Sequence, residues 1–270
     1  MNGPSRRWWI VVAAAVVLAA AIAFVVTRSP SDTAAPNSNT THPAAVSTTA
    51  MSAAASKPTN TAPASAASYQ PLWPFADEQQ AAAWQVSYRA GGHDPWHLDA
   101  GLTAQSFTQG YLGYTTLDQV TTVTQNGTDA HAGVGYKLPN GTMSTAAVLH
   151  LIKVGSGPDT PWEVVGTDDT DQLTLTTPAY GATVASPVTI GGRITGVDES
   201  LRVQVRRLAD EKVVGQSGGI PAGGQNTPWT ARVSFTAPAN SVLTIAVSTG
   251  GHVSDIERFA ITGVRSGPAV

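Results

Sequence analysis

Ser217 lies in a short pattern that is typical of a nucleophilic enzyme. Residues 215–219 read GQSGG, which satisfies the G-x-S-x-G pattern, and His252 and Asp255 follow later in the chain. A nucleophile elbow places its serine on a sharp turn between a strand and a helix. The segment GGIPAGGQNTPW, which follows Ser217, contains too many glycines and prolines to form that helix. The order Ser, His, Asp also differs from the Ser, Asp, His order of that fold. We therefore predict that Ser217 lies in a glycine-rich loop between strands and is not catalytic.

His93 and His97 have the spacing of a metal site on a helix. They flank Pro95 in the segment GGHDPWHLD, which also carries Asp94 and Asp99. Two imidazoles four residues apart share a face only if the segment is an α-helix, and the two glycines and the proline favour a loop. We therefore predict no metal at this segment.

His150 is a third candidate because strand alternation brings it to one side of an apolar segment. In STAAVLHLIKV, one side carries Ala146, Val148, His150, Ile152 and Val154, and the other carries Ala147, Leu149 and Leu151. A general base needs a carboxylate or tyrosine within hydrogen-bond reach, and the sequence leaves open whether Asp99, Tyr111 or another group serves His150. We interpret His150 as a structural histidine, with a ligand-binding or enzymatic pocket around it as the alternative.

The remaining chemical patterns are incomplete. The acidic segment TDDTD at residues 167–171 lacks the glycine and the distal glutamate of a calcium loop, and we interpret it as a solvated junction. Neither a phosphate-binding P-loop nor a complete dinucleotide fingerprint occurs. We expect no catalytic residue, no metal and no cofactor.

Composition excludes several further classes. The chain has 270 residues and no cysteine, which rules out disulfides, cysteine-ligated zinc and a thiol nucleophile. Its net charge of −3 offers no basic surface for nucleic acid.

The N-terminal residues predict export. Residues 8–26 read WWIVVAAAVVLAAAIAFVV, an uncharged segment of about the 20 residues that a membrane-spanning helix needs. Arg6 and Arg7 precede it, so the positive-inside rule places residues 1–7 in the cytoplasm and the remainder outside. A cleaved signal peptide with AIA at residues 21–23 is the alternative, but we favour an uncleaved signal-anchor because the apolar segment continues to Val26. Residues 27–68 are rich in Ala, Ser, Thr and Pro and predict a disordered linker.

Residues 69–171 predict an α+β domain. The first helix begins after Asp77 as N-cap with Gln80 in the capping-box position and ends at Gly91, and a second is capped by Thr103. Four alternating segments follow, QVTTVTQ, AHAGVGYKL, TMSTAAVLHLIKV and WEVVGT, with hairpin turns at Asn126-Gly127 and Asn140-Gly141. This order of elements resembles the nuclear-transport-factor-2-like or cystatin-like group. The resemblance implies a cone-like fold, in which a curved antiparallel sheet wraps a helix and the mouth of the cone often holds a ligand.

Residues 172–265 predict an all-β sandwich of about seven short strands, each able to be half-buried: LTLTTP, VTIGGRIT, LRVQVRRLA, KVVGQSG, WTARVSFTA, VLTIAVSTG and RFAITGV. The segments TTPAYGATVASPVTIGGRITGVDESLRVQVRRL and TPWTARVSFTAPANSVLTIAVST resemble the bacterial spore-germination immunoglobulin-like domain family. That resemblance covers residues 173–264 and implies an extracytoplasmic adhesion or assembly module without catalytic residues.

These expectations combine into a multi-domain protein at the cell membrane. It has a single-pass transmembrane anchor, an α+β domain and an immunoglobulin-like domain that are extracytoplasmic, and no enzymatic activity. The expected partners are the membrane and an envelope protein or a cell-wall glycan. The alternative is a small-ligand-binding or enzymatic pocket around His150.

Overall fold

The computed structural model describes residues 69–268, without the side chains of residues 197–199. The expected cytoplasmic tip at 1–7, the anchor at 8–26 and the linker at 27–68 lie outside the described residues. Between residues 69 and 268, no helix is both long enough and apolar enough to cross a membrane.

The described chain is mostly β-sheet with a few short helices, in keeping with an α+β block followed by a β-sandwich. The helices are α1 (Glu78–Gly91) and α2 (Ala100–Ser106), with 3₁₀ turns at Pro95–Leu98 and Leu208–Asp210 and a π-helical turn at Phe107–Tyr111. The strands are β1 (Gln119–Asn126), β2 (Asp129–Lys137), β3 (Met143–Lys153), β4 (Trp162–Thr167), β5 (Thr183–Val184), β6 (Val188–Arg207), β7 (Lys212–Val233), β8 (Val242–Thr249) and β9 (Arg258–Ser266).

The two α-helices begin at acidic caps. The Asp77 carboxylate accepts a hydrogen bond from the Gln80 backbone N–H at 2.9 Å, as the capping-box pattern predicts. The prediction for α2 was wrong by one turn: Asp99 caps it by accepting from the Leu102 N–H at 2.9 Å. Thr103 instead lies inside α2, where its hydroxyl donates to the Trp96 carbonyl at 3.1 Å.

Strands β1 to β4 form an antiparallel sheet in chain order, as the four alternating segments predict. One face packs on α2 and the π-helical turn through a cluster that includes Ala132, Leu149, Leu151 and Phe107. The opposite face carries Ile152, which packs with Phe75 and with Ala81 of α1 in a separate cluster. The face of the sheet that packs on α2 is therefore covered with apolar side chains.

A bulge in the pairing of β2 with β3 sets which residues face each other. Close to the turn, Lys137 pairs with Met143 and Gly135 with Thr145, but beyond the bulge Val134 pairs with Ala147. A Cβ on Gly135 would lie 1.8 Å from the Ser144 carbonyl oxygen, so the bulge requires glycine there. The shift pairs His131 with His150.

The second block is built around two long strands. The first part of β6 pairs with the last part of β7 and, through bridges from Leu173 and Thr177, with the chain that precedes it. The second part of β6 pairs with β8, β8 pairs with β9, and β9 pairs with β5. The strand order in this sheet is therefore β5-β9-β8-β6-β7. Leu173 and Trp229 from the first set of strands share one core with Val203 and Ile245 from the second. The two sets of strands thus pack on each other as in a sandwich.

Strand β8 is buried on both of its faces. Leu243, Ile245 and Val247 point into the sandwich core, whereas Ala246 belongs to the cluster around α2 and the π-helical turn. Phe259 of β9 joins that second cluster, with its ring edge-on to Tyr114 at 5.4 Å. The half-buried pattern expected of every strand therefore fails here, because the first block covers the outer face of this sheet.

Candidate functional site

The structure does not form a nucleophile elbow at Ser217. Ser217 lies inside β7, paired with Val203 of β6, and the chain continues as strand to Val233. The glycine-rich segment is therefore a strand and not the loop that the sequence predicts, because its backbone pairs along β6. The strand-turn-helix context that would expose a serine nucleophile is replaced by a continuous hairpin.

The segment with His93 and His97 contains a short 3₁₀ helix from Pro95 to Leu98. His93 is exposed, whereas His97 is buried among aromatic rings, with centroids 5.0 Å from Phe75 and 4.9 Å from Trp84. Burial lowers the pKa of His97 to about 4, against a smaller opposing effect of Asp94. His97 is therefore a neutral core residue at physiological pH.

His150 lies on the other face of the four-stranded sheet from Leu149 and Leu151, as strand alternation predicts, and so it faces away from α2 and the interior of the expected cone. Its Nε2 is 2.8 Å from Oδ2 of Asp129, which lies on the neighbouring strand β2. The side chain of His150 is 18% exposed, so it is covered but not sealed. The partner that the sequence left open is thus Asp129, while Asp99 caps α2 and the Tyr111 hydroxyl is 3.4 Å from Thr244.

His131 extends this pair into a cluster of four side chains, which we call the carboxylate–histidine cluster: Asp129, His131, His150 and Asp168. The His131 and His150 rings are parallel within 2°, with centroids 4.7 Å apart. His131 Nε2 is 3.2 Å from Asp129 Oδ1. His131 Nδ1 is 2.8 Å from Asp168 Oδ2. Asp129 therefore contacts both imidazoles, and His131 contacts both carboxylates.

The strand geometry explains how the cluster forms. Asp129 and His131 are two residues apart on β2 and so project from the same face. The bulge places His150 directly opposite His131, and Asp168 follows the end of β4, its backbone N–H donating to the Val148 carbonyl at 2.9 Å. Three strand ends thus deliver four polar side chains to one patch.

A cleft of about 410 Å³ adjoins the cluster where the two blocks meet, and we call it the seam cleft. Its lining includes Tyr69, His150, Thr167, Thr176, Tyr180 and Thr262. The Tyr69 ring meets His150 edge-on at 5.2 Å and Tyr180 at 6.5 Å. His150 therefore belongs both to the cluster and to the wall of the cleft, on the face of the sheet away from α2.

Tyr180 holds one side of the cleft in place. Its hydroxyl donates to the Gln70 carbonyl and accepts from the Gln70 N–H, both at 2.7 Å. Burial raises the pKa of Tyr180 to about 12, so the phenol stays protonated at physiological pH. Tyr180 as a whole residue is 40% exposed, and it lines the cleft.

A buried acid lies in β4 behind the cleft. Glu163 is fully buried, and its Oε2 accepts a hydrogen bond from the Phe75 N–H at 3.0 Å. Burial raises the pKa of Glu163 well above its usual value, against the opposing effect of backbone hydrogen bonds from Phe75, Trp73 and Leu72.

Among the described residues, Asp129, His131 and His150 could hold a metal ion, since one ligand atom from each lies within 4.8 Å of the others. Sequence reasoning singled out His150 but missed Asp129, His131 and Asp168. Alternation on β2 groups Asp129 with His131, a signal that was available. The pairing with β3 depends on the bulge, which no residue pattern in the sequence predicts. Asp168 belongs to the acidic segment for which the sequence predicts a solvated junction.

Comparison of the chain with known protein families, with curated proteins and with solved structures finds no match in any of the three.

Proposed function

We propose that this chain is a non-catalytic, membrane-anchored, extracytoplasmic protein of the cell envelope, which binds its ligand in the seam cleft. The observation that carries the proposal is the cleft itself, which combines the rings of the half-buried Tyr69 and the exposed Tyr180 with the exposed hydroxyl-bearing side chain of Thr176. Binding sites generally join an apolar wall to a few convergent polar groups. The anchor and the extracytoplasmic location rest on the sequence of residues 1–26.

The strand pairing supports an immunoglobulin-like assignment of the second block. In such a fold, strands A, B and E form one sheet and strands C, F and G the other. Residues 173–177, the start of β6 and the end of β7 have the pairing of A, B and E, and the rest of β6 with β8 and β9 has the pairing of C, F and G. This order supports the resemblance to the spore-germination immunoglobulin-like family, whose members resemble adhesion or assembly modules.

The order of elements in the first block supports the cone-like assignment. Helices come first, and a four-stranded antiparallel sheet follows and packs on α2. The interior of this cone is apolar and filled, so we place the ligand on the outer face of the sheet, at the seam with the second block. Both blocks then contribute to one binding surface.

The chemistry of the cleft favours an uncharged polar ligand over a nucleotide. The hydroxyl of the exposed Thr176 can donate and accept hydrogen bonds, the tyrosine rings offer flat apolar surface, and Asp169 is the acidic group on the wall of the cleft. A cell-wall glycan or a polar segment of an envelope protein fits this lining, whereas a phosphate-rich ligand finds no lysine or arginine among the lining residues.

The test uses full-length protein purified in detergent and immobilised. Cell-wall glycan fragments and envelope extract are applied in separate arms, and retained material is quantified. Thr176→Trp fills the cleft, and Thr177→Trp, at the adjacent exposed position outside the lining, is the matched control. We expect the wild type and the control to retain one of the two ligand classes, and Thr176→Trp to lose at least about tenfold of that retention. Equal retention by both variants, or none by the wild type, would contradict the proposal.

An acid–base pocket is the second candidate function, and the His150–Asp129 contact of 2.8 Å at the edge of the cleft is the observation that favours it. If the retained ligand is converted to product by the wild type but remains intact with His150→Gln, the pocket is enzymatic. If the ligand is recovered unchanged from both proteins, the non-catalytic proposal stands.

A further inference from the structure

We propose that Asp129, His131 and His150 form a binding site for a divalent transition-metal ion, with Zn²⁺ as the best-fitting ion, and that Asp168 positions His131 for it. This inference does not depend on the proposed function. It concerns the carboxylate–histidine cluster, of which only His150 also lines the seam cleft.

The spacing of the three side chains matches the size of such a site. Zinc bonds to imidazole nitrogen and carboxylate oxygen are about 2.0–2.2 Å, so neighbouring ligand atoms in a tetrahedral site lie about 3.4 Å apart. In the structure His131 Nε2 is 3.2 Å from Asp129 Oδ1, and His150 Nε2 is 2.8 Å from Asp129 Oδ2. These contacts are made by different oxygens of Asp129, but one ligand atom from each of the three side chains lies within 4.8 Å of the others. The ligand set is therefore gathered in one place, and it closes around the ion if those atoms approach one another by at most about 1.4 Å, from 4.8 Å to about 3.4 Å.

The hydrogen-bonding inventory of His131 shows why a cation fits between these groups. A neutral imidazole has one N–H donor, and an ionised carboxylate only accepts. Both nitrogens of His131 face carboxylates, Asp168 at 2.8 Å and Asp129 at 3.2 Å. If Nδ1 donates to Asp168, the Nε2 lone pair faces an Asp129 oxygen lone pair, and these two groups repel unless a positive charge lies between them. A metal ion, or a second proton on His131, supplies that charge.

The contact of Asp168 with His131 matches the arrangement found around a metal-binding histidine. Metal-binding histidines typically donate their other ring N–H to a carboxylate, which fixes the tautomer and the ring orientation. Asp168 contacts Nδ1 of His131 with both oxygens, at 3.0 and 2.8 Å. Nε2 is thereby turned towards Asp129 and His150.

The position of the cluster suits an exchangeable ion. The parallel imidazole planes must tilt towards each other to share one ion, and the 38% exposure of His131 leaves room for that rotation. Three protein ligands leave a fourth position for water or for a ligand atom. Two nitrogens and one carboxylate favour Zn²⁺ over Ca²⁺ or Mg²⁺, which prefer oxygen ligands throughout.

The full-length protein is purified in detergent without a histidine tag and stripped of metal with a chelator. Zn²⁺ is then titrated into it at pH 7.5, and the heat of binding is measured by isothermal titration calorimetry. We expect one saturable site per chain. His131→Ala, His150→Ala and Asp129→Asn each weaken it at least about 100-fold, and Asp168→Asn weakens it about 10- to 100-fold. Ca²⁺ in place of Zn²⁺ gives no comparable heat. Absorption of bound Co²⁺ between about 500 and 700 nm reports a nitrogen-containing site of low coordination number.

Controls separate this site from other histidines and from misfolding. His42→Ala in the linker segment and His252→Ala, whose ring is exposed, should leave affinity unchanged. Far-ultraviolet circular dichroism checks that each variant folds. If an alanine variant does not fold, the result for Asp129→Asn is used in its place. The proposal is overturned if the folded wild type shows no saturable Zn²⁺ binding, or if the cluster variants bind as tightly as the wild type. Thr176→Trp should keep zinc binding even where it abolishes ligand retention, so the two proposals fail separately.

Discussion

Replacing His97 with phenylalanine is expected to remove a defined part of the pH dependence of folding. The His97 ring is packed against Trp96 at 3.6 Å between centroids, and Phe75 and Trp84 complete its surroundings. Its Nδ1 is buried without a hydrogen-bond partner among the described residues. Phenylalanine retains the aromatic packing and carries no proton, so it isolates the cost of charging a buried imidazole.

The magnitude follows from the pKa of His97, which burial lowers from 6.5 to about 4. Between these pH values the unfolded chain binds more protons than the folded one, so the free energy of unfolding falls as the pH falls. The contribution is fully present above pH 6.5 and is lost on the way down to about pH 4. At about 1.36 kcal/mol for each pH unit, His97 accounts for at most about 3 kcal/mol.

The assay is urea unfolding of the full-length wild type and His97→Phe at several pH values from 7.5 to 4.5. We expect the variant to gain stability relative to the wild type as the pH falls, approaching about 3 kcal/mol near the lower end. The difference between the two proteins is the quantity to follow, because the buried Glu163 changes wild-type stability in the opposite sense.

The matched control is Tyr88→Phe, which alters the same aromatic cluster through its stacking on Trp84 but leaves the rings around His97 in place, and so should retain the wild-type pH profile. A constant difference between His97→Phe and the wild type over this pH range would refute the reasoning. It would mean that the imidazole is charged, or hydrated, in the folded state.

Three further substitutions test other contacts. Glu163→Gln should gain stability relative to the wild type as the pH rises above about 4.5, by at most about 1.4 kcal/mol per pH unit, because burial raises the pKa of the Glu163 carboxyl. Thermal unfolding at pH 5 and pH 8 measures this gain, and a stability difference that does not change with pH would contradict the prediction. Gly135→Ala should cost about 1–3 kcal/mol or more in urea, since its Cβ would lie 1.8 Å from the Ser144 carbonyl oxygen, and unchanged stability would show that the bulge relaxes freely. Tyr180→Phe should cost about 1–3 kcal/mol in the same assay because it deprives both the N–H and the carbonyl of Gln70 of a partner, and a cost near zero would indicate that water replaces the hydroxyl.

The elements of the first block could be predicted from the sequence because their signals are local. Asp77 with Gln80 marks the start of α1, and the Asn-Gly pairs mark the hairpins. The start of α2 was misplaced because Thr103 and Asp99 are both acceptable caps. Only packing decides between them: Thr103 is fully buried against the preceding turn.

The second block shows how tertiary packing changes a local pattern. Seven short strands were expected, but β6 runs unbroken from Val188 to Arg207 and β7 from Lys212 to Val233. The glycines of GQSGG predict a loop, whereas the structure continues the strand through them. A Cβ on Gly215 would lie 2.4 Å from the Ser234 carbonyl oxygen, so glycine permits a close approach of the backbones there.

The candidate site was only partly predictable. Alternation correctly placed His150 opposite the side chains of the apolar cluster. Without the bulge, however, the register near the turn would have paired His131 with Leu149 and sent the two imidazoles to opposite faces. One extra residue in β3 therefore decides whether the cluster exists, and Asp168 reaches it only through the end of β4.

The hydrogen bonds of Gln70 also bear on the order in which the chain folds. Its side-chain amide donates to the Val264 carbonyl at 3.0 Å, across 194 positions of the chain. Contacts of such long range slow folding, because the entropy of closing a long loop is lost before the contact forms. At a synthesis rate of about 5–20 residues per second, Val264 is synthesised about 10–40 s after Gln70. The first segment of the described fold therefore gains this hydrogen bond only when the last strand is present. A chain shortened before β9 would lack that strand and would also leave Gln70 without its contact to Val264.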